Sequence, residues 1–426
     1  MLIINIGQLV TPVGNHALSG HTMRELTVLH DAYVQIEQGK IIRVGPMREL
    51  SSVYQPEAFD AQGGIVIPGL VDPHTHAVFY GTREEEFLAR CHGEKYGKGI
   101  LTTVERVRRA SEDQLYEFSK EFLLAMMQLG TTTVEIKSGY GLDTENELKL
   151  LRVIKKLREA LTPAAPPLSR LNGRGARGEG PEIVPTFCGA HAVPPGVEKS
   201  EYIREIIEEM LPRVRAENLA EFGDVFCEQG FFSIAESREI LRACQRAGLG
   251  LKIHADELSP LGGAELAAEL QAVSADHVLH ITPQGIEALK RAGVIAVLLP
   301  GTAFSLNAPY APARALIDQG LAVALGTDFN PGTCLIYSMF FMIALAVLKM
   351  KMTVAEALTA ATLNAAAALR RAHVTGSIEP GKRADLVVLN LENYKQIPYF
   401  IGHEGRFVRA VICQGHPVYE RDQARH

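Results

Sequence analysis

The string PGLVDPHTH, residues 68–76, closes an apolar run on two histidines, His74 and His76, set two apart. In an extended chain that spacing sends both imidazoles to one face. Two neutral imidazoles at about 2 Å from a common point are the beginning of a transition-metal site. His254, in LKIHADE, and Asp328, in ALGTDFNPG, each end another apolar run and could complete it. Three imidazoles and a carboxylate suit Zn2+ or Fe2+ and leave a position for water or substrate. Taken singly, each has an ordinary explanation: a loop pair, a satisfied core histidine, the N-cap of a turn. Their shared placement at the ends of apolar runs argues for the metal.

More ionisable groups end runs of the same kind. His277 lies in SADHVLH, His191 in FCGAHAVPP, and Glu257 three residues beyond His254. Glu257 reads as a proton-transfer group or as a helix-start carboxylate. Lys137 and Tyr140 lie in EIKSGYG; an ordinary Lys137 would be a surface base lying along its own apolar stem. Arg83, shortly after the histidine pair, could fork onto a substrate carboxylate. The run DVFCEQG carries no Lys that could be carbamylated to bridge two metals, so a single metal is expected, with Glu228 as a minor further donor.

These groups need a frame that gathers strand ends. Eight apolar runs alternate with amphipathic helices: GIVIPGLVDPH, TTTVEIKSG, EIVPTFCGAH, DVFCEQG, LGLKIHADE, ADHVLH, VIAVLLPG and LAVALGTD. Runs buried on both faces, each followed by a helix, mean a parallel sheet. Eight such units close most economically into an α/β fold of the (β/α)8 TIM-barrel type over residues 65–378. An open doubly wound sheet is the alternative, but no G-x-G-x-x-G follows the first run. Thr144 with Glu147, Ser233 with Glu236 and Thr353 with Glu356 have capping-box spacing. Alternating β-rich segments at both ends predict a small β-sandwich-like domain made jointly by residues 1–64 and 379–426, with a short helical piece around Arg48 to Tyr54. A Pro-, Gly- and Arg-rich stretch at 161–182 reads as a flexible insertion on the N-terminal face, away from the chemistry.

Composition narrows the function classes. The 426 residues are 47% hydrophobic and 22% charged, with a net charge of −6, which argues against nucleic acid or an anionic membrane as partner. Six scattered Cys without a C-x-x-C pair read as reduced thiols, and the N-terminus lacks signal-peptide features. The longest apolar run, 334–348, is shorter than the roughly 20 residues that span a bilayer, so a buried helix and a cytoplasmic protein are expected.

The histidine pair after PGLVD, a fifth-strand His, a sixth-strand His and an eighth-strand Asp resemble the amidohydrolase superfamily. The longer strings PGLVDPHTHAVFYGTREEEF, EIKSGYGLDTENELKLLR, PTFCGAHAVPP, KIHADELSPLGGAELAAELQAVSADH and LGTDFNPGT are similar to its imidazolonepropionase family from about residue 60 onward, apart from the insertion. The resemblance implies opening of a cyclic amide, 4-imidazolone-5-propanoate, to N-formimidoyl-L-glutamate with one Zn or Fe ion. It implies His74, His76, His254 and Asp328 as ligands, and Arg83, Tyr140, His191, Glu257, Asn330, Gly332 and Thr333 as substrate contacts. A homodimer follows from the resemblance alone. In such a site Asp328 would accept a proton from water, and His277 would orient the water or stabilise charge. The metal or His191 would stabilise the oxyanion, and Glu257 would serve the ring nitrogen. A metal-dependent deaminase of a cyclic amidine shares most of these groups and would release ammonia. A non-catalytic scaffold barrel would be expected to have lost some of the four ligands, all of which are present.

Overall fold

The computed structural model describes residues 1–50, 58–93, 99–162 and 180–421. Eight parallel strands form one sheet in chain order: β1 (Leu70–Asp72), β2 (Thr131–Lys137), β3 (Glu182–Ala190), β4 (Phe222–Cys227), β5 (Gly250–Ala255), β6 (Ser274–His277), β7 (Ile295–Leu298) and β8 (Val323–Leu325). Every residue of all eight is buried, as required when helices cover one face and a lumen the other. Amphipathic helices such as Thr144–Leu161, Ile234–Arg246 and Pro283–Ala292 return the chain between strands. The sheet is brought round just beyond the ends of β1 and β8. There Asp328 donates its backbone N–H to the His74 carbonyl (3.0 Å) and His76 donates to Phe329 (2.9 Å). Beneath them the Asp72 carboxylate accepts the Thr327 N–H (3.0 Å) and hydroxyl (2.5 Å).

A second sheet draws on both chain ends. Its strands run in the order His416–Glu420, Val408–Cys413, Leu386–Leu389, Ile65–Pro68, Leu2–Thr11, Thr27–Glu37, Lys40–Pro46, with Ala58–Asp60 beside Leu2–Thr11. Alternate residues serve two cores. Ile65, Ile67, Val387 and Leu389 pack with the barrel, whereas Val66, Leu386 and Val388 join Ile3, Ile6, Val34 and Ile36 in a separate cluster. Each such buried side chain contributes about 1.5–3 kcal/mol.

Three sequence readings change. The run at 64–74 is not one barrel strand: Ile65–Pro68 pairs antiparallel with Leu386–Leu389, and only Leu70–Asp72 enters the barrel. The switch is Gly69, whose N–H reaches Asp385 (2.8 Å) while that of Leu70 reaches Gly130 (2.9 Å). A Cβ at Gly69 would lie 2.1 Å from the Thr132 hydroxyl, so no larger residue fits there. Thr144 with Glu147 is not a capping box, because Asp143 caps that helix through the Asn146 N–H (2.8 Å). The Ser233–Glu236 and Thr353–Glu356 boxes are present. Of the helical piece expected from Arg48 to Tyr54, the start is a 3-10 turn, Met47–Glu49, and residues 51–57 lie outside the described residues.

The insertion leaves the helix Thr144–Leu161 and returns at Gly180, whose N–H bonds the Leu161 carbonyl (2.9 Å). Residues 163–179 lie outside the described residues. The 334–348 run becomes the helix Met339–Met350, almost wholly buried, and no described helix is long and apolar enough to cross a membrane.

Candidate metal centre and active site

The C-terminal ends of the barrel strands bring the sequence-predicted histidines within ring contact. Ring centroids of His74 and His254 are 4.6 Å apart, those of His254 and His277 5.2 Å, and those of His76 and His191 4.7 Å and stacked. Among the sets whose donor atoms are close enough to share an ion are His74 with His76 and Asp328, His74 with His254 and His277, and His76 with His191 and His254. The first two β1 candidates point inward because Asp72, His74 and His76 alternate along an extended segment.

Hydrogen bonds fix which nitrogens face the centre. His74 Nδ1 lies 2.6 Å from Asp276 Oδ2, and His254 Nδ1 lies 3.1 Å from Asp224 Oδ1. A carboxylate beside Nδ1 holds the proton there and turns the Nε2 lone pair outward, the arrangement usual behind metal-bound imidazoles. His74 Nε2 is then buried without a hydrogen-bond partner, 3.6 Å from Asp328 Oδ1. His76 Nε2 and His254 Nε2 face each other at 3.4 Å. Burial, then the Lys137 charge, holds His74 well below the usual histidine range; burial and His191 do the same for His76. His74 and His76 are thus neutral, whereas for His254 burial is outweighed by the Asp224 carboxylate, which raises it above the usual histidine range. An imidazole set of this kind around a carboxylate fits a divalent cation, whose binding displaces the His254 proton.

Under this cluster lies a layer of buried charge. Lys137 Nζ contacts Asp224 Oδ2 (2.7 Å) and Glu135 Oε2 (2.9 Å), and lies 3.7 Å from Asp276. Lys252 lies 3.5 Å from Glu135 and 3.7 Å from Asp276, and donates to the Pro73 carbonyl at 2.8 Å. The alternative of a surface base at Lys137 is therefore wrong, since its side chain is fully buried among three carboxylates. Burial opposes its charge, but the three carboxylates outweigh that and keep it protonated. Glu135, Asp224, Lys252 and Asp276 escaped the sequence reading. Their signal was a charged residue within a run buried on both faces.

Asp328 sits at φ 52° and His277 at φ 73°, left-handed positions that non-Gly residues seldom take. Thr302 donates its hydroxyl to Asp328 Oδ2 at 2.6 Å. Burial pushes Asp328 up to about 6 against that hydrogen bond. Glu257 Oε2 lies 3.6 Å from His277 Nε2, and burial, reinforced by Asp328, pushes Glu257 up to about 8. Burial and His254 keep His277 neutral.

His191 Nδ1 lies 3.0 Å from the Gly139 carbonyl. A carbonyl only accepts, so the proton is on Nδ1 and Nε2 is an acceptor. Burial and His254 push His191 down to about 3, so it stays neutral. The sequence reading of His191 as a donor to an oxyanion does not fit this tautomer. Tyr140 is buried beside it, 5.6 Å by ring centroid from both His76 and His191. Its loop is held by Glu147, which accepts the N–H groups of Gly139, Gly141 and Leu142 at 2.7–3.0 Å.

On the far side Arg83 Nη2 binds Glu86 at 2.6 Å. Its Nη1 lies against Gly332, where a Cβ would approach to 2.4 Å. Asn330 Nδ2 donates to the Asp328 carbonyl and the Thr333 hydroxyl (both 2.7 Å), while its Oδ1 accepts from the Gly332 and Thr333 N–H groups (both 2.8 Å). Asn330 and Thr333 therefore build the turn that seats Arg83. Glu228, raised as a minor metal donor, turns its carboxylate onto the loop after β5 and joins none of the metal-capable groups among the described residues.

Comparison with known proteins agrees with this geometry at two levels. The chain belongs to the amidohydrolase family, whose profile matches residues 65–418. Within it, a protein named imidazolonepropionase from Clostridium tetani is 46% identical over 432 aligned positions, covering 99% of this chain and 98% of that one. Another of that name from Geobacillus kaustophilus is 48% identical over 410, covering 93% and 92%. The chain is thus a member of the imidazolonepropionase family and a hydrolytic enzyme. A solved 5-methylcytosine deaminase from Klebsiella pneumoniae superposes with a TM-score of 0.72 over 100% of this chain and 99% of that one; at 16% identity it shares the fold. The family and the His/Asp donor set together indicate a metal cofactor.

Proposed function

We propose that this enzyme hydrolyses 4-imidazolone-5-propanoate to N-formimidoyl-L-glutamate, a step of histidine degradation. The observation that carries the reading is the gathering of His74, His76 and His254 around Asp328 with Glu257 beside His277, in a chain of this family. His74, His76, His254 and Asp328 would hold one ion, Zn or Fe. Bound there, the ion supplies Lewis acidity that brings the pKa of a water from 15.7 toward about 7.

The chain's own groups do the rest. Asp328 takes the proton of the attacking water through a carboxylate whose other oxygen is held by Thr302. His277, neutral and next to Glu257, orients that water by Nε2. As water adds to the ring carbonyl carbon and the ring C–N bond breaks, Glu257 gives its proton to the departing nitrogen, which its raised pKa suits. His191 accepts a hydrogen bond from a ring N–H through Nε2. Arg83, backed by the turn at Asn330 to Thr333, receives the propionate, and positioning of that kind is worth several kcal/mol. The substrate is a small molecule; a cytoplasmic location and a homodimer belong to the same reading, the latter open to sedimentation analysis.

The test is incubation with freshly made imidazolonepropionate, following loss of its ultraviolet absorbance with and without a chelator. Chelator-sensitive loss without ammonia supports the reading. Ammonia release would assign a deaminase instead, and no turnover by the metal-loaded enzyme would reject the substrate.

A further inference from the structure

Glu228 follows β4 directly, is 1% exposed and has no place in the chemistry above. Its backbone is pinned on both sides: its N–H bonds the Phe232 carbonyl at 3.1 Å and its own carbonyl accepts the Phe231 N–H at 3.0 Å. Its carboxylate receives donors alone. Oε1 takes the Gln229 N–H at 2.7 Å and the Ser259 hydroxyl, while Oε2 takes the N–H groups of Leu258 (2.9 Å) and Ser259 (3.3 Å). Those last two residues follow Glu257 immediately.

On the other side of Glu257, Asp256 is clamped in the same manner. Its Oδ1 accepts from Gly262 (2.8 Å) and Gly263 (3.0 Å), and its Oδ2 from Ala264 (3.0 Å). Between the clamps the loop has little apolar anchorage: Leu258 is 57% exposed and Pro260 is exposed as well. Leu261 packs against the core, but next to Glu257 the loop after β5 is fixed by two carboxylates. A carboxylate suits the place because it offers only acceptors to converging donors.

We infer that Glu228 is a positioning residue which, through the amides of Leu258 and Ser259, holds Glu257 at its working distance from His277. The inference rests on the proton-transfer role proposed for Glu257. The motif recurs at the loop after β2, where Glu147 holds the segment carrying Tyr140.

The metal-loaded full chain is compared as wild type, Glu228→Ala, Glu228→Gln, Glu257→Gln and the double variant Glu228→Ala/Glu257→Gln. Glu228→Ala lowers kcat about tenfold or more with KM changed by less than about threefold, and in the Glu257→Gln background its effect on kcat shrinks to less than about twofold. Glu228→Gln falls between wild type and Ala, because its amide N–H2 meets the N–H donors on one side. Hydrogen exchange at the Leu258 and Ser259 amides speeds up in Glu228→Ala, a readout independent of substrate. Equal kcat losses in both backgrounds, unchanged exchange at those amides, or loss of metal from Glu228→Ala would each overturn the inference. If wild type fails to turn over imidazolonepropionate, the proposed reaction falls, and the exchange data still decide whether the clamp exists.

Discussion

Asp328 and His74 face each other twice: the Asp328 N–H bonds the His74 carbonyl at 3.0 Å, and its Oδ1 lies 3.6 Å from His74 Nε2. The first contact closes the barrel and the second lies within the candidate metal centre. A change that spreads the seam thus also spreads the donor set.

Replacing His74 by Ala removes a donor that belongs both to the set with His76 and Asp328 and to the set with His254 and His277. Elemental analysis is expected to show the metal falling from about one ion per chain toward none, with activity lost in parallel. Stoichiometric metal in the variant would show the ligand set to be wrong.

Asp276→Asn keeps an oxygen near His74 Nδ1 but removes the negative charge that fixes its proton and balances Lys137 and Lys252. Loss of such support costs about 10–100-fold in metal affinity. Titration against a competing chelator measures it, and an unchanged affinity would contradict the role given to this contact.

Gly332→Ala should imitate Arg83→Ala. The new methyl would meet Arg83 Nη1 at 2.4 Å and displace the guanidinium from its seat. The expected outcome for both is a rise in KM of about tenfold, with kcat changed by less than about threefold. Steady-state kinetics decide, and a normal KM in Arg83→Ala would remove Arg83 from carboxylate binding.

Stability at low pH should depend on Glu356, where burial is outweighed by hydrogen bonds from Arg314 and Arg24 and by the Thr353 cap, holding the carboxyl down at about 2. A carboxyl with a depressed folded-state pKa stabilises fully above its unfolded value of 4.5 and loses that contribution as pH falls toward 2. Glu356→Gln is therefore expected to melt below wild type at pH 6, with the gap narrowing below about pH 4.5. A gap constant across that range would rule out the linkage.

Chelation of the loaded protein should lower Tm as well as abolish turnover, because an ion bound only by the folded chain stabilises it by about 2.7 kcal/mol at a hundredfold excess over Kd. Calorimetry with and without chelator reads this directly.

The barrel was legible because its strands are apolar throughout, and the inward histidines because each ends such a run. The charged layer below them was not. Within a single strand, Asp224 or Lys252 looks like a residue on a solvated face; only the closed barrel turns that face into a lumen. The structural parts played by Asn330 and Glu228 were hidden for a related reason. Their types suit substrate or metal, but the nearest donors and acceptors belong to their own loops, which spacing alone does not reveal. Nor could the run at 64–74 disclose its bend at Gly69, since the bend depends on Leu386–Leu389 arriving from the other end of the chain.

That last pairing sets an order of assembly. Ile65–Pro68, one glycine ahead of the strand leading to His74 and His76, has its sheet partner in a segment synthesised near the end of translation. The bend that leads into His74 and His76 is therefore completed only when the end of the chain has folded back onto it. A chain released before Leu386–Leu389 would leave one backbone edge of Ile65–Pro68 unpaired, its other edge being held by Leu2–Thr11, and an open edge is a template for aggregation.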